Sequence, residues 1–329
     1  MSLNNNNPNP IAVYYEHPDW FRPLFNELEK REIRVEKQNA AEHLFRIAEK
    51  DFSYDVLFNR MSPSAYLRNN AQAIFYTSSL LESLEKKGIK VINGSKAWKY
   101  EISKALQLNL LESLGLPYPK AVVINHPSQA VSASEGLRFP IVVKANIGGS
   151  GAGIVKFNSR EELQQAVAEN NIDLGLDATA LVQEFIPARG GSIHRVETLG
   201  GKYLYGIKVY TSGESFNLCP ADICQTTTGQ ELTRNACALD APKNGLKVEA
   251  FTPSQEIIEQ IEQIIQATGI EVGGIEYIID DRDGQLYYYD VNALSNFVAD
   301  ATNVIGFDPH EKLVDYIEKV ANLKKEEVL

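Results

Sequence analysis

Residues 139–157 read Phe139-Pro-Ile-Val-Val-Lys-Ala-Asn-Ile-Gly-Gly-Ser-Gly-Ala-Gly-Ile-Val-Lys-Phe157. A glycine-rich loop lies between two runs of β-branched and aromatic residues, with Lys144 at its mouth. Ile141, Val142 and Val143 on one side, and Ile154, Val155 and Phe157 on the other, predict strand, loop, strand. A Walker loop needs Gly-Lys-Ser/Thr opening a helix, and a dinucleotide fingerprint needs a helix directly after its last glycine; neither pattern follows here. Glycine lets backbone N–H groups approach phosphate oxygens without a Cβ in the way, and Lys144 adds a point charge. The stretch therefore reads as a flap over nucleotide phosphates. A mobile hairpin whose glycines only permit tight turns would carry the same residues, so the rest of the chain must decide.

With 329 residues, 44% of them hydrophobic, the chain is expected to fold as more than one packed unit. A net charge of −11 disfavours a nucleic-acid partner, which needs clustered Lys and Arg. No run has the length of a membrane span, and Met1-Ser-Leu-Asn-Asn-Asn-Asn-Pro-Asn-Pro10 lacks a basic-then-apolar signal. Residues 1–10 are expected to be a disordered polar start, and the protein to be cytoplasmic, with no membrane partner. Cys219, Cys224 and Cys237 form no CxxC pair and have no histidine spaced for zinc, so they are expected to be reduced and unligated. The five histidines are scattered and indicate no triad.

Between residues 11 and 92, strands at 11–15, 33–35, 56–58 and 91–92 alternate with a helix from about residue 20, one from residue 40 and a long one ending at 87. This predicts an α/β unit with a parallel sheet. One helix is expected over 98–114, stopped by Gly115, Pro117 and Pro119. Strand and helix alternate again from 121 to 184: a strand at 121–124, a helix near 129, the flap, a helix over 159–168 and a strand at 180–184. Beyond Gln183 strands dominate. Those at 194–199 and 202–210 are joined by Gly200-Gly201, and a helix over 254–268 has Ser254 as its cap and Gly269 as its stop. Its isoleucines at helical spacing are core residues. The Lys324–Glu327 charge run reads as a solvated tail.

The last strand pair, 274–279 and 286–291, carries carboxylates. If Arg282-Asp283-Gly284 is a three-residue loop with Gly284 left-handed, Asp281 pairs with Gln285 and Glu276 falls opposite Asp290. Asn292 then shares their face. Carboxylates opposed on a sheet repel by up to about 1 kcal/mol unless a cation lies between them. Mg²⁺ characteristically takes one or two carboxylates together with nucleotide phosphates. A polar hairpin facing water is the other reading of the segment.

Together, the lysine and glycine flap, Leu181-Val-Gln-Glu-Phe-Ile-Pro187 and the Glu276/Asp290-Val-Asn292 pair resemble the ATP-grasp superfamily, and within it the RimK-like carboxylate-amine ligases. The resemblance spans about residues 60–297, in the family's order. It implies a mixed α/β and α+β fold. An N-terminal, Rossmann-like pre-ATP-grasp domain (11–97) would precede a two-lobed ATP-grasp fold, with a central lobe carrying the flap (98–182) and a C-terminal lobe carrying the metal site (183–329). It also implies ATP and Mg²⁺, as one or two ions, with Mn²⁺ as an alternative.

Carried over residue by residue, the resemblance assigns nucleotide binding to Lys104, Lys144, Gly149, Ser150, Gly151, Lys208 and Asn217, and an adenine-reading hinge to Gln183, Glu184, Phe185 and Ile186. It assigns the metal to Glu276, Asp290 and Asn292, and the transferred phosphoryl group to Arg195 with Lys144. Arg60, at the carboxyl end of the strand at 56–58, would hold a substrate carboxylate. There are departures from the family pattern. Ile193 stands where Asp is usual, Val209 and Pro220 where arginines are usual, and Ser295-Asn296 replace Pro-Gly. The implied activity is amide formation on a small molecule, amino acid or peptide through an acylphosphate, in a chain that the family allows to pair as a homodimer. The alternatives are a small-molecule kinase on the same fold, and an ATP-binding regulatory protein without turnover.

Overall fold

The computed structural model describes residues 9–17, 19–149, 153–210 and 247–328, with side chains through residue 322. Its first unit contains β1 (Ile11–Tyr15), α1 (Arg22–Lys30), β2 (Val35–Asn39), β3 (Val56–Arg60), α2 (Ala71–Lys86) and β4 (Lys90–Ile92). The four strands form a parallel sheet in the order β2-β1-β3-β4. Val56, Leu57 and Phe58 are buried, as expected of a central parallel strand covered on both faces.

Two expectations need correction here. The second strand lies at 35–39 rather than 33–35: Ile33 packs against the core on leaving α1, and the polar run that follows forms the sheet edge. Residues 40–50 are turns, not helix. Leu44 and Ile47 are 66% and 87% exposed, so the apolar positions there supply no buried stripe to hold a helix. The long helix expected to end at residue 87 is present as α2. It is preceded by a 3₁₀ turn at Pro63–Arg68, and left-handed Asn69 separates the two.

Next come α3 (Ser95–Glu101), α4 (Lys104–Ser113), β5 (Ala121–Ile124), α5 (Ala130–Ala133), β6 (Ile141–Ala145), β7 (Val155–Phe157), α6 (Arg160–Ala168) and β8 (Ala180–Glu184). The single helix expected over 98–114 is thus two. Ser103 is extended, and its hydroxyl accepts the Leu106 N–H, so serine caps a new helix instead of continuing the old one. Asn146, just past β6, accepts the Ala105 N–H with its side chain and the Lys104 N–H with its carbonyl. The break therefore fixes Lys104 at the first position of α4, tied to the mouth of the flap. The strand-loop-strand reading of residues 139–157 holds, with β6 and β7 antiparallel in a sheet ordered β5-β8-β6-β7.

The chain ends with β9 (Ser192–Leu199), β10 (Lys202–Tyr210), β11 (Val248–Phe251), α7 (Gln255–Thr268), β12 (Val272–Ile279), β13 (Leu286–Asn292), α8 (Ala301–Ile305) and α9 (Pro309–Val328). The third sheet is antiparallel, in the order β11-β10-β9-β12-β13. One face packs on α4 and α7 through Val196, Ile275, Tyr288 and Val291. The other, through Ile193, Ile207 and Ile278, shares a core with α9 and with Val13 and Phe58 of the first sheet.

Asn93 joins the first and third sheets. It is 1% exposed and left-handed, with φ 54°. Its Nδ2 donates to Val272 O (2.6 Å) and Ala293 O (2.7 Å), while its Oδ1 accepts from Glu271 N (2.8 Å) and Val272 N (3.0 Å). Asn93→Ala leaves four backbone groups without these partners, and should lower the unfolding free energy by at least about 3 kcal/mol. Urea unfolding measures this; a loss below about 1 kcal/mol would mean that the sheets are held together by apolar packing alone.

Candidate nucleotide and metal site

The register of β12 and β13 decides where the carboxylates stand. The loop has four residues, 281–284, not three. Asp280 rather than Asp281 faces Gln285, with Asp280 N donating to Gln285 O (2.8 Å) and Gly284 N to Asp280 O (2.9 Å). The cause lies in Asp280, whose fully buried carboxylate accepts from the Arg282 backbone and side chain and from Arg138. Tyr277 therefore opposes Tyr288, and a bulge then inserts Tyr289, so that Glu276 opposes Asp290 and Gly274 opposes Asn292. The carboxylate pairing read from sequence is correct because loop and bulge offset one another. The bulge also brings in a residue that the alternation rule hid. The Tyr289 hydroxyl donates to Glu276 Oε2 at 2.6 Å.

Three cations meet this pair. Lys104 Nζ ion-pairs with Asp290. Arg195, opposite Glu276 on β9, donates from one Nη to Glu276 Oε1 at 2.8 Å. Lys144 projects from β6 and is 8% exposed; burial pushes it down to about 8, with the Lys104 ammonium adding to the fall. Burial would raise the Asp290 carboxyl, but Lys104, with Lys144 and Arg195 behind it, holds it below the usual carboxylate range. Glu276 is displaced upward by burial and by Asp290, against the pull of Arg195. Glu101, at the end of α3, also lies here: it accepts the Ala293 N–H, and burial pushes it up to about 7.

The donor set fits a hard divalent cation. Glu276, Asp290 and Asn292 offer only oxygen ligands, and Asn292 Nδ2 is buried without a hydrogen-bond partner. A half-turn of that amide places its carbonyl oxygen in the same spot. Among the described residues no group of three or more Asp, Glu, His or Cys side chains is placed to hold a metal ion by itself, so the protein would supply two carboxylates and an amide rather than a complete cage. That is the arrangement of a Mg²⁺ ion that shares its coordination with phosphates.

The other expected residues fall as follows. Gln183 pairs with Val142, which puts it on the face of the middle sheet that carries Lys144, and its Oε1 is buried without a partner. Glu184 lies on the opposite face, where its carboxylate accepts the Arg138 N–H. The Glu184 and Phe185 N–H groups are bonded to Lys120 O and Pro140 O, and Ile186 enters the core shared with the first sheet. Gly149 rests on the 3₁₀ turn of the first unit: a Cβ there would lie 3.1 Å from Ser64 Cβ. Ser150, Gly151, Asn217, Pro220 and the three cysteines lie outside the described residues, as does the start at 1–8.

Lys208 is not brought to the cluster. It pairs with His194, one residue from the Ile207–Arg195 pair, so alternation turns it to the opposite face, where its ammonium lies 5.1 Å from the Tyr210 ring centroid. Arg60 ends β3 and is buried. It donates to Ser295 O (2.5 Å) and Asn296 Oδ1 (3.2 Å), with its guanidinium 5.1 Å from the Phe21 and Phe58 rings. Ile193 is core, and the carboxylate beside Arg195 comes instead from Glu197, two residues later on the same face. Arg195-Val-Glu197 on a strand was the signal that sequence reasoning passed over. Glu101 gave none, because a continuous helix was expected around it.

Sheets, flap and opposed carboxylates together define an ATP-grasp fold, and residues 102–216 match the RimK-like ATP-grasp domain. The chain is 29% identical over 181 residues to the D-alanine--D-alanine ligase of Pseudomonas putida (strain GB-1), covering 55% of this chain and 51% of the relative. It is 31% identical over 144 residues to a probable alpha-L-glutamate ligase of Marinomonas sp. (strain MWYL1), covering 43% and 46%. The chain thus spans about half the length of these curated relatives. Over its whole fold it is similar to the ATP-grasp ligase PsnB complexed with a phosphomimetic variant of minimal precursor, Mg and ADP. That match has a TM-score of 0.65 and 16% identity, and covers 97% of this chain and 99% of the other. No helix among the described residues is long and apolar enough to cross a membrane.

His194 gives a pH test of the sheet beneath the site. Its ring stacks on Tyr277 at 4.7 Å, and burial, with Lys208 nearby, pushes it down to about 4. Because the folded state binds the proton more weakly than the unfolded chain, this stability is complete above about pH 6.5 and drains away as pH falls toward 4. His194→Phe should remove about 2 kcal/mol of the stability that the wild type loses between pH 7 and pH 5. Urea midpoints at the two pH values check this, and an unchanged loss would contradict it.

Proposed function

We propose that this protein is an ATP- and Mg²⁺-dependent ligase that joins a carboxylate to an amine through an acylphosphate, on an amino acid, a peptide or a similar small molecule. The observation that carries the reading is the partly buried cluster in which Glu276 faces Asp290 while Lys104, Lys144 and Arg195 surround them. Ligase activity of the relatives, and the peptide precursor, Mg and ADP of PsnB, support it.

Glu276, Asp290 and Asn292 would hold Mg²⁺, which when bound neutralises phosphate charge and aligns the nucleotide. Lys104 and Lys144 hold the phosphates of ATP, and the strap from Gln183 to Ile186 flanks the adenine, with the Gln183 amide buried and available to it. The substrate carboxylate, oriented by Arg60, attacks the γ-phosphorus, and ADP leaves. Charge spreads over the transferring oxygens in that step, and Arg195 and Lys144 stabilise it in a site with little water to screen them. The amine then attacks the acyl carbon, the acyl–oxygen bond to phosphate breaks, and the departing phosphate carries off the proton that the amine gives up.

ADP release is measured with MgATP against pooled amino acids, short peptides and other carboxylates, with and without hydroxylamine. The expected result is ADP with hydroxamate in at least one pool. ADP without hydroxamate would indicate a kinase, and ATP binding without ADP in any pool would indicate a nucleotide-binding protein.

Two variants refine the reading. Asn292→Ala should cut ADP release at least about tenfold at low Mg²⁺ and regain part of it at high Mg²⁺. Its urea midpoint should hardly move, because Nδ2 bonds to nothing that unfolding would lose. Lys144→Met should weaken MgATP binding by about tenfold or more in calorimetry, yet leave the unliganded protein no less stable at pH 7, since it removes a buried charge beside another of the same sign. Unchanged nucleotide affinity would take Lys144 out of the site.

A further inference from the structure

We propose that Glu197 and Ser295 are positioning residues that set the angle of the Arg195 guanidinium at the site of phosphoryl transfer; the role rests on the ligase reading above. Arg195 is gripped along three edges. Its Nε donates to Glu197 Oε1 at 2.6 Å, one Nη to Glu276 Oε1 at 2.8 Å and the other Nη to Ser295 Oγ at 2.8 Å. The Ser295 hydroxyl, having accepted from Arg195, donates its own O–H to Glu197 Oε2. Glu197 and Ser295 are each 1% exposed. The triangle of Arg195, Glu197 and Ser295 is therefore closed, with both carboxylate oxygens of Glu197 engaged.

Glu276 alone would leave the guanidinium free to rotate about a single contact, whereas the planar fork held at Nε and both Nη has one orientation. The backbone has been shaped around this grip. On β12, Gly274 lies opposite Glu197, and a Cβ there would stand 2.9 Å from Glu197 Oε2 and 3.0 Å from Oε1. The carboxylate occupies the volume that any side chain at 274 would need. The Ser295 carbonyl also accepts from Arg60, so one residue fixes the substrate-side arginine through its backbone and the phosphoryl-side arginine through its hydroxyl.

The test is a double-mutant cycle on steady-state ADP release by the full chain, with MgATP and the carboxylate and amine that give turnover. Glu197→Gln should lower kcat about tenfold while KM for MgATP stays within about twofold, because the group acts through Arg195 and not on bound nucleotide. In an Arg195→Ala background the same change should cost less than about twofold. Gly274→Ala, which crowds the carboxylate, should reproduce the kcat loss. Ser295→Ala should lower kcat, whereas Ser295→Thr, which keeps the hydroxyl, should restore most of it. If Glu197→Gln does not fold, as judged by its urea transition, the Ser295 pair carries the test. Additive losses with Arg195→Ala, or equal kcat in Ser295→Ala and Ser295→Thr, would overturn the proposal. A wild-type chain that gives no ADP in any pool overturns the ligase reading as well, and so is told apart from a failure of the positioning role alone.

Discussion

Two carboxylates facing each other across a strand pair, one buried and one partly buried, are the constraint around which this protein is arranged. Glu276 is 2% exposed, and Asp290 stands directly across the ladder from it. Such a pair is unfavourable without positive charge nearby, and burial makes it more so. The chain answers with one cation from each direction. Lys104 comes from a helix start, Lys144 from the sheet under the flap, and Arg195 from the adjacent strand. Arg195 shares a sheet with the carboxylates, whereas Lys104 and Lys144 reach them from α4 and from the middle sheet, so the complete set of cations depends on how these elements pack together.

The devices that achieve this are polar and local. Ser103 and Asn146 break a helix so that Lys104 starts the second half. Asp280 lengthens a turn, and a bulge restores the register that the turn would have shifted. Asn93 carries the edge of the first sheet to β12 and to the residue after Asn292. Apolar burial supplies the bulk of the stability, but these few side chains decide which atoms meet.

Much of this was legible in the sequence. Hydrophobic runs gave the parallel sheet of the first unit, the β6-β7 flap and the α7 caps, because burial pattern and capping are local properties. Glu276 opposite Asp290 was also legible, although through a turn one residue short and a bulge left out. What escaped depends on tertiary contact. The break at Ser103 needs Asn146 to stabilise it, the absence of a helix at 40–50 reflects apolar residues with nothing to cover them, and Lys208 is turned away by alternation from its neighbour Ile207. Glu197 and Ser295 are meaningful only once β9 and the segment after β13 lie side by side.

The most direct test of the central claim is Mn²⁺ binding followed by electron paramagnetic resonance, with ADP present and absent, in the wild type and in Asp290→Asn. If the opposed carboxylates hold a divalent ion jointly with nucleotide phosphates, the wild type will immobilise Mn²⁺ far more tightly with ADP than without it. The variant, still folded by circular dichroism, will lose at least about tenfold of that nucleotide-linked affinity. Equal Mn²⁺ affinity in the two proteins would contradict the account and leave Glu276 and Asp290 as a structural ion-pair network.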